Sequence, residues 1–429
     1  MQPLSRARKH APAILLAGLV LALGACVGGD YPNSTFNHHT DLNTATDALW
    51  DSLLFWGTAV FVFVEAILVF TIIRFRRREG APEPKHVHGN TALELTWTIV
   101  PLLILVVIAV PTVRTIFKTQ APAPAGSLEI EVIGHQWWWE YRYPQYGFTT
   151  ANEMYVQNGR PVNLTLRTID VLHSFWVPQL GGKRDLITNK TNHLWFTPNA
   201  DLETAVWNGF CTEYCGTSHA NMRIRAYTVS QAEFDAWVRG QQAPPAFTAA
   251  SGTSGTSGSM AAADGAGNTV SAADGDVATQ DAQATTWFFP AERLPEYAKP
   301  KIPLPSSIAF NDALLEQGDA ARGLALVNTP RVGCLACHIH TSSTPPPFPP
   351  IGPNLTHVAT RHTFAGGVFP NDPRYLARWI KNAPRMKPGV KMNALGKDEY
   401  DAVTKNTAVL GQLTDQEIAD IVAYLRALK

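Results

Sequence analysis

Two long apolar runs dominate the first quarter of the chain. Residues 53–73 carry a single charge, Glu65, and residues 95–113 carry none but include Pro101. Each is long enough to cross a bilayer as a helix. Between them stand Arg74, Arg76, Arg77, Arg78 and Lys85, whereas residues 27–53 have no Lys or Arg. This asymmetry predicts two transmembrane helices joined by a cytoplasmic loop, with everything beyond about Arg114 on the outer face. The pattern then changes period. Residues 128–133 alternate as a strand, and further short β-rich runs follow at 162–166, 193–196 and 224–229. Short strands between turns, without helical periodicity, predict a sandwich or barrel. At the other end, Thr414-Asp-Gln-Glu417 is a capping box, and Ile418, Ile421, Val422 and Leu425 behind it share one helical face.

Composition divides the chain further. Residues from about 240 to 284 are mostly Ala, Gly, Ser, Thr and Asp and cannot bury a core, so they read as a flexible tether. A coil of roughly 50 residues spans about 40 Å, enough for one domain to dock and undock from another. The N-terminus has a basic start, an apolar stretch too short to span, and Leu23-Gly-Ala-Cys26. That reads as a signal peptide; Leu-Gly-Ala-Cys resembles a bacterial lipoprotein signal, which implies cleavage before Cys26 and lipid on that residue, with a plain signal peptide or an uncleaved anchor as the alternative. The expected divisions are therefore 1–25 signal, 26–125 membrane hairpin, 126–240 β domain, 241–305 linker and 306–429 helical domain. The 35 basic and 35 acidic residues cancel, which argues against a nucleic-acid partner.

The five cysteines carry most of the chemistry, and none is left for an ordinary disulfide. Cys334-Leu-Ala-Cys-His338 has the spacing of c-type haem attachment: Cys334 and Cys337 as thioethers and His338 as an axial iron ligand. A thioredoxin-like pair is the rival, but it needs no histidine. A distal methionine is expected downstream; Met392 follows the Pro388-Gly389 turn, and Met386 competes. In the β-rich region, Cys211, Cys215, His219 and Met222 lie within twelve residues, and His173 sits upstream in Val171-Leu-His-Ser-Phe-Trp176. Thiolate, imidazole and weak thioether suit copper in electron transfer. Two cysteines allow two coppers bridged by both sulfurs, with one histidine on each, Met222 weakly on one and the Glu213 carbonyl on the other. A disulfide or a structural zinc site would use some of these residues, though neither uses Met222.

The run Cys-x-Glu-x-Cys-Gly-x-x-His-x-x-Met, with Asp170-Val-Leu-His-Ser-Phe-Trp-Val-Pro178 and Gly182-Lys-Arg-Asp185, resembles the binuclear CuA loop of cytochrome c oxidase subunit II. The chain departs from that pattern at Ile187-Thr-Asn-Lys190 and at Trp207-Asn-Gly-Phe210. The 306–429 region resembles a class I cytochrome c, with Gly352-Pro-Asn-Leu355 and Trp379 fitting. The implied architecture is a membrane α-hairpin, an all-β cupredoxin-like domain and an all-α cytochrome c domain. The implied function is the electron inlet of an aerobic terminal oxidase in a bacterial inner membrane, with copper and haem on the periplasmic side and proton pumping in the complex. Its partners would be subunits I and III, membrane lipid, and quinol–cytochrome c reductase or a soluble cytochrome c as donor. Alternatives are the CuA inlet of another terminal reductase, such as a nitric oxide reductase, or a free-standing electron carrier. In Gly134-His-Gln-Trp-Trp-Trp-Glu-Tyr141 the resemblance makes Trp137 the electron entry point, and strand alternation leaves at least one of the three tryptophans near the surface. It also puts Glu94 at the mouth of a proton path; a helix-end carboxylate favoured by the dipole is the plainer reading.

Overall fold

The computed structural model describes residues 18, 31–80, 88–245, 247, 287–342, 344, 350–407 and 410–429. The signal segment with Cys26, Lys85 and most of the expected tether lie outside the described residues.

The two apolar runs form helices that outreach them at both ends: α1, Asp41–Arg74, and α2, Thr91–Gln120. At 1.5 Å per residue α1 is about 50 Å long, against about 30 Å of bilayer hydrocarbon, so its ends stand in water. Their starts are set by side chains: Thr40 accepts from the Asn43 N–H and Asn90 from the Leu93 N–H. The outer ends are tied to the β domain. Thr40 Oγ1 donates to the Leu180 carbonyl at 2.9 Å and Asn43 Nδ2 to that of Pro178 at 2.8 Å. Across from them, Trp195 Nε1 donates to the Ala121 carbonyl at 2.8 Å. The apolar stretches of both helices are exposed in the isolated chain, as a bilayer span requires.

The β domain is a two-sheet sandwich. Its strands are β1 (Leu128–His135), β2 (Trp138–Tyr143), β3 (Phe148–Ala151), β4 (Glu153–Gln157), β5 (Val162–Thr168), β6 (His173–Trp176), β7 (Arg184–Leu186), β8 (Asn192–Phe196), β9 (Ala205–Cys211) and β10 (Arg223–Val229). The sheets run β3-β2-β1-β5-β8 and β4-β10-β9-β6-β7, with β1/β5 and β4/β10 parallel and the remaining pairs antiparallel. Leu128, Ile130 and Val132 of β1 and Val162, Leu164 and Leu166 of β5 point inward together, the period of two read in the sequence. Helix α3, Gln231–Gln242, opens on a Ser230/Glu233 capping box and packs Phe234 and Trp237 onto the sandwich.

The C-terminal domain is helical: α4 (Ala320–Val327), α5 (Pro373–Met386, kinked at Asn382) and α6 (Asp415–Ala427). The Thr414/Glu417 capping box opens α6, and Ile418, Ile421, Val422 and Leu425 are buried as expected. Helices α4 and α6 cross closely because Gly323 has no side chain; a Cβ there would lie 2.1 Å from the Asp420 carbonyl oxygen. Arg322 fixes the crossing angle through two 2.8 Å bonds to the Asp420 carboxylate.

One expectation about the tryptophans is corrected. Trp137 lies in the β1–β2 turn while Trp138 and Trp139 begin β2, and all three are buried. Trp137 sits at the tip of the sandwich, where it would be open to water, but the helical domain covers it. Trp138 is stacked on His135 with ring centroids 4.0 Å apart.

Gly323→Ala is expected to destabilise the helical domain by about 1–3 kcal/mol, because backbone must move to admit the methyl group. Thermal unfolding followed by circular dichroism reads this directly. A midpoint equal to or above that of the parent would count against the close crossing.

Candidate copper and haem sites

Three neighbouring segments of the second sheet bring the sulfur and imidazole groups together. Strand β9 ends at Cys211, whose N–H donates to the Met222 carbonyl at 3.0 Å, and the Thr212 N–H donates to the Ser174 carbonyl at 3.0 Å. Gly216, at φ +110, then turns the loop back on itself so that Cys215 faces Cys211. The two Sγ atoms lie 3.7 Å apart. His173 Nδ1 is 3.8 Å from Cys211 Sγ, and His219 Nδ1 is 3.6 Å from Cys215 Sγ. Met222 Sδ stands 3.9 Å from Cys215 Sγ and the Glu213 carbonyl oxygen 3.2 Å from Cys211 Sγ. His173 opens β6 and does not sit in a loop, which gives it a rigid seat. The ligand atoms of His173, Cys211 and Cys215 all lie within 4.8 Å of one another, with His219 on the far side of the sulfur pair. The set thus has two ends, one histidine at each.

Electrostatics favour a cation here. The Cys215 thiol bonds to the Cys211 sulfur, which pulls the Cys211 pKa down to about 4 and pushes that of Cys215 well up. One thiolate forms readily and the second forms only against positive charge, which is how metal binding displaces a proton from a thiol. Asp170 orients His173: its Oδ1 is 2.9 Å from His173 Nε2 and its Oδ2 accepts the Gln136 N–H at 2.8 Å. Burial opposes its ionisation, yet the hydrogen bonds from His173, Gln136 and Val171 hold its pKa at about 2. Asp170 stands only three residues before His173 in the sequence, but nothing in that spacing alone marks it as the histidine's anchor.

The haem motif lines a second site. Cys334, Cys337, His338 and Met392 all face one cleft in the helical domain, which encloses about 1550 Å³ with its open mouth included. The fit to a flat macrocycle is specific. His338 Nδ1 donates to the Pro353 carbonyl at 2.8 Å, leaving Nε2 for iron. Gly352 lies against the same ring, where a Cβ would be 2.5 Å from His338 Cε1. Arg361, buried on the cleft wall, has an Nε without a hydrogen-bond partner among the described residues, a donor suited to a haem carboxylate. Met386 ends α5 and packs on the helical core without lining the cleft.

Trp137 joins the two sites. Its Nε1 and Gln136 Nε2 both donate to the Cys215 carbonyl, at 2.9 and 2.8 Å, and its ring lines the haem cleft. Glu94 is elsewhere. It is exposed in the first turn of α2, and 26 residues of helix at 1.5 Å each put it about 40 Å from the end that touches the sandwich.

Comparison with known proteins agrees with this layout. Residues 39–115 match the transmembrane domain of cytochrome C oxidase subunit II, 147–229 its periplasmic domain and 320–429 cytochrome c. The probable cytochrome c oxidase subunit 2 of Rickettsia bellii is 34% identical over 209 residues, covering 44% of this chain and 76% of that protein. This chain belongs to the cytochrome c oxidase subunit II family. The subunit 2 of Alkalihalophilus pseudofirmus is 44% identical over 190 residues, covering 43% of this chain but only 55% of its relative. That of Bacillus sp. strain PS3 is 28% identical over 368 residues, 83% of this chain and 80% of that one. The domains carry their cofactors with them: CuA copper for the subunit II periplasmic domain and haem c for the cytochrome c domain.

Asp170→Asn is expected to weaken copper binding about 10–100-fold, since the partner that orients a ligating histidine contributes on that scale. Competition against a chelator measures it. Undiminished copper retention would leave Asp170 without the orienting role.

Proposed function

We propose that the chain is the electron inlet of a haem–copper terminal oxidase, taking electrons at its own haem c and delivering them through CuA for reduction of oxygen to water. The observation that carries this reading is Trp137, which lines the haem cleft and whose Nε1 is bonded to the carbonyl of Cys215. When bound, the two cofactors supply one-electron chemistry. The residues do the rest. Cys334 and Cys337 would tether the macrocycle by thioether bonds, and His338 and Met392 would ligate its iron. Cys211 and Cys215 would hold the copper through their thiolates and His173 and His219 through their imidazoles, with Met222 and the Glu213 carbonyl as weaker ligands. The burial of His173, Cys211, Cys215 and Met222 excludes water and fixes the geometry, so little has to rearrange when charge arrives.

The exposed apolar helices are the surface for subunits I and III within the bacterial inner membrane, with copper and haem on the periplasmic side. The electron donor is a soluble cytochrome c or quinol–cytochrome c reductase, docking on the haem domain. Glu94, at the opposite end of α2, serves as the proton-path mouth on the cytoplasmic side. Cys26 carries the lipid anchor.

Metal analysis is expected to find two coppers per chain and an electron paramagnetic resonance spectrum of one electron shared between them. A single copper, or a mononuclear spectrum, would contradict the ligand assignment. Met222→Leu should retain both coppers but change the potential, because a weak axial ligand tunes the site more than it holds it. In the assembled complex Glu94→Gln should slow oxygen consumption while leaving reduction of both cofactors unchanged; equal turnover from pH 6 to 9 would reduce Glu94 to a helix-end carboxylate.

A further inference from the structure

Two ionisable side chains are buried on the seam between the sandwich and the helical domain, one from each side. Glu153 of β4 accepts through Oε1 from the N–H groups of His362 and Thr363 at 2.9 Å each, and from the Thr363 hydroxyl at 3.0 Å. Lys387, one residue past α5, donates through Nζ to the carbonyls of Trp137 at 2.7 Å and Ala365 at 2.8 Å. Both side chains are only 2% exposed. Burying a polar group is costly unless its hydrogen bonds are made, so any other docking pose would leave Glu153 or Lys387 buried without its partners. Such groups add little to the strength of docking and much to its register.

The backbone around Lys387 is shaped for the same pose. Gly366 has φ +76, and a Cβ there would lie 2.6 Å from the Trp137 carbonyl oxygen and 2.7 Å from Lys387 Nζ. Its own carbonyl accepts the Arg223 N–H at 2.9 Å, just beyond the copper loop. Gly389, at φ +80, approaches the other side of Trp137: a Cβ there would be 2.7 Å from the indole ring. Ser218 Oγ in the copper loop donates to the Pro388 carbonyl at 2.5 Å. Lys387 therefore sits at the centre of the contact, on the backbone of the very residue that links the two cofactor sites.

We propose that Lys387 is a positioning residue for haem-to-copper electron transfer, clamping the Trp137 carbonyl to the 365–367 loop so that the haem domain docks in one register. This rests on the function proposed above. In the step it governs, one electron leaves ferrous haem iron, which becomes ferric, and enters the copper pair; no proton moves. Transfer falls off steeply with the gap between the sites, so a domain docked in a looser register conducts poorly even with both cofactors intact.

The test uses the full chain, with Lys387→Met beside the parent. Amide hydrogen exchange at Arg223, His362 and Thr363 is followed in haem-containing, copper-free protein, and the haem-to-copper rate after photoreduction in the copper-loaded form. Lys387→Met is expected to speed seam exchange and slow transfer, each at least about tenfold, with both optical spectra unchanged. Seam amides as protected and transfer as fast in Lys387→Met as in the parent would overturn the proposal. Should Lys387→Met not accumulate, Lys387→Gln, a shorter and uncharged donor, replaces it: faster exchange and slower transfer support the clamp, and parental values of both overturn it. Because exchange is measured without copper, a chain that binds no copper would defeat the functional reading while the clamp is still decided by exchange alone.

Discussion

Two sulfurs held 3.7 Å apart in a water-excluded loop are the constraint from which the rest of the structure follows. Both cannot be thiolates without a cation between them, and both are buried too deeply for solvent to screen them. The loop is therefore a site waiting for positive charge. Its shape is imposed from outside: β9 and β10 pin its two ends, Gly216 turns it, and Gln136 and Trp137 hold the Cys215 carbonyl from the neighbouring sheet. A sandwich rigid on both faces makes that grip reliable, and the helix ends tied to it through Thr40, Asn43 and Trp195 place the site at a set height above the membrane.

The helical domain makes a second contact of the same precision. The carbonyl of Cys215 accepts from the Trp137 ring nitrogen, and the same residue lines the haem cleft. A single side chain thus belongs to both cofactor environments. The helical domain is more than tethered to the sandwich; it is fitted to it by Glu153, Lys387 and a loop with bare glycine at Gly366 and Gly367. In this arrangement the helical domain covers Trp137.

Much of this was legible in the sequence because it is local. The CxxCH run, the Cys-x-x-x-Cys-x-x-x-His-x-x-Met run and the capping box at Thr414 each lie within one short stretch, so residue types and spacing narrow their roles to a few alternatives. The strands at 128, 162, 193 and 224 were likewise visible through their alternation. The contacts that join domains were not. Nothing near Lys387 in sequence points to Trp137, 250 positions away, and nothing near Glu153 points to Thr363. Alternation also misjudged the three tryptophans. It treats a strand as facing solvent on one side, whereas Trp137 stands in a turn covered by another domain. The helix limits were underestimated for a related reason: apolarity marks the part of α1 inside the bilayer, while Thr40 caps it well outside.

Electron exchange between haem and copper within one chain is tested most directly by photoreduction of the haem in the isolated, fully loaded chain, with copper reduction followed at several protein concentrations. Intramolecular transfer through the Trp137 contact gives a first-order rate that does not change with concentration. A rate that rises in proportion to protein concentration would mean that electrons pass between molecules, and would contradict the intramolecular route.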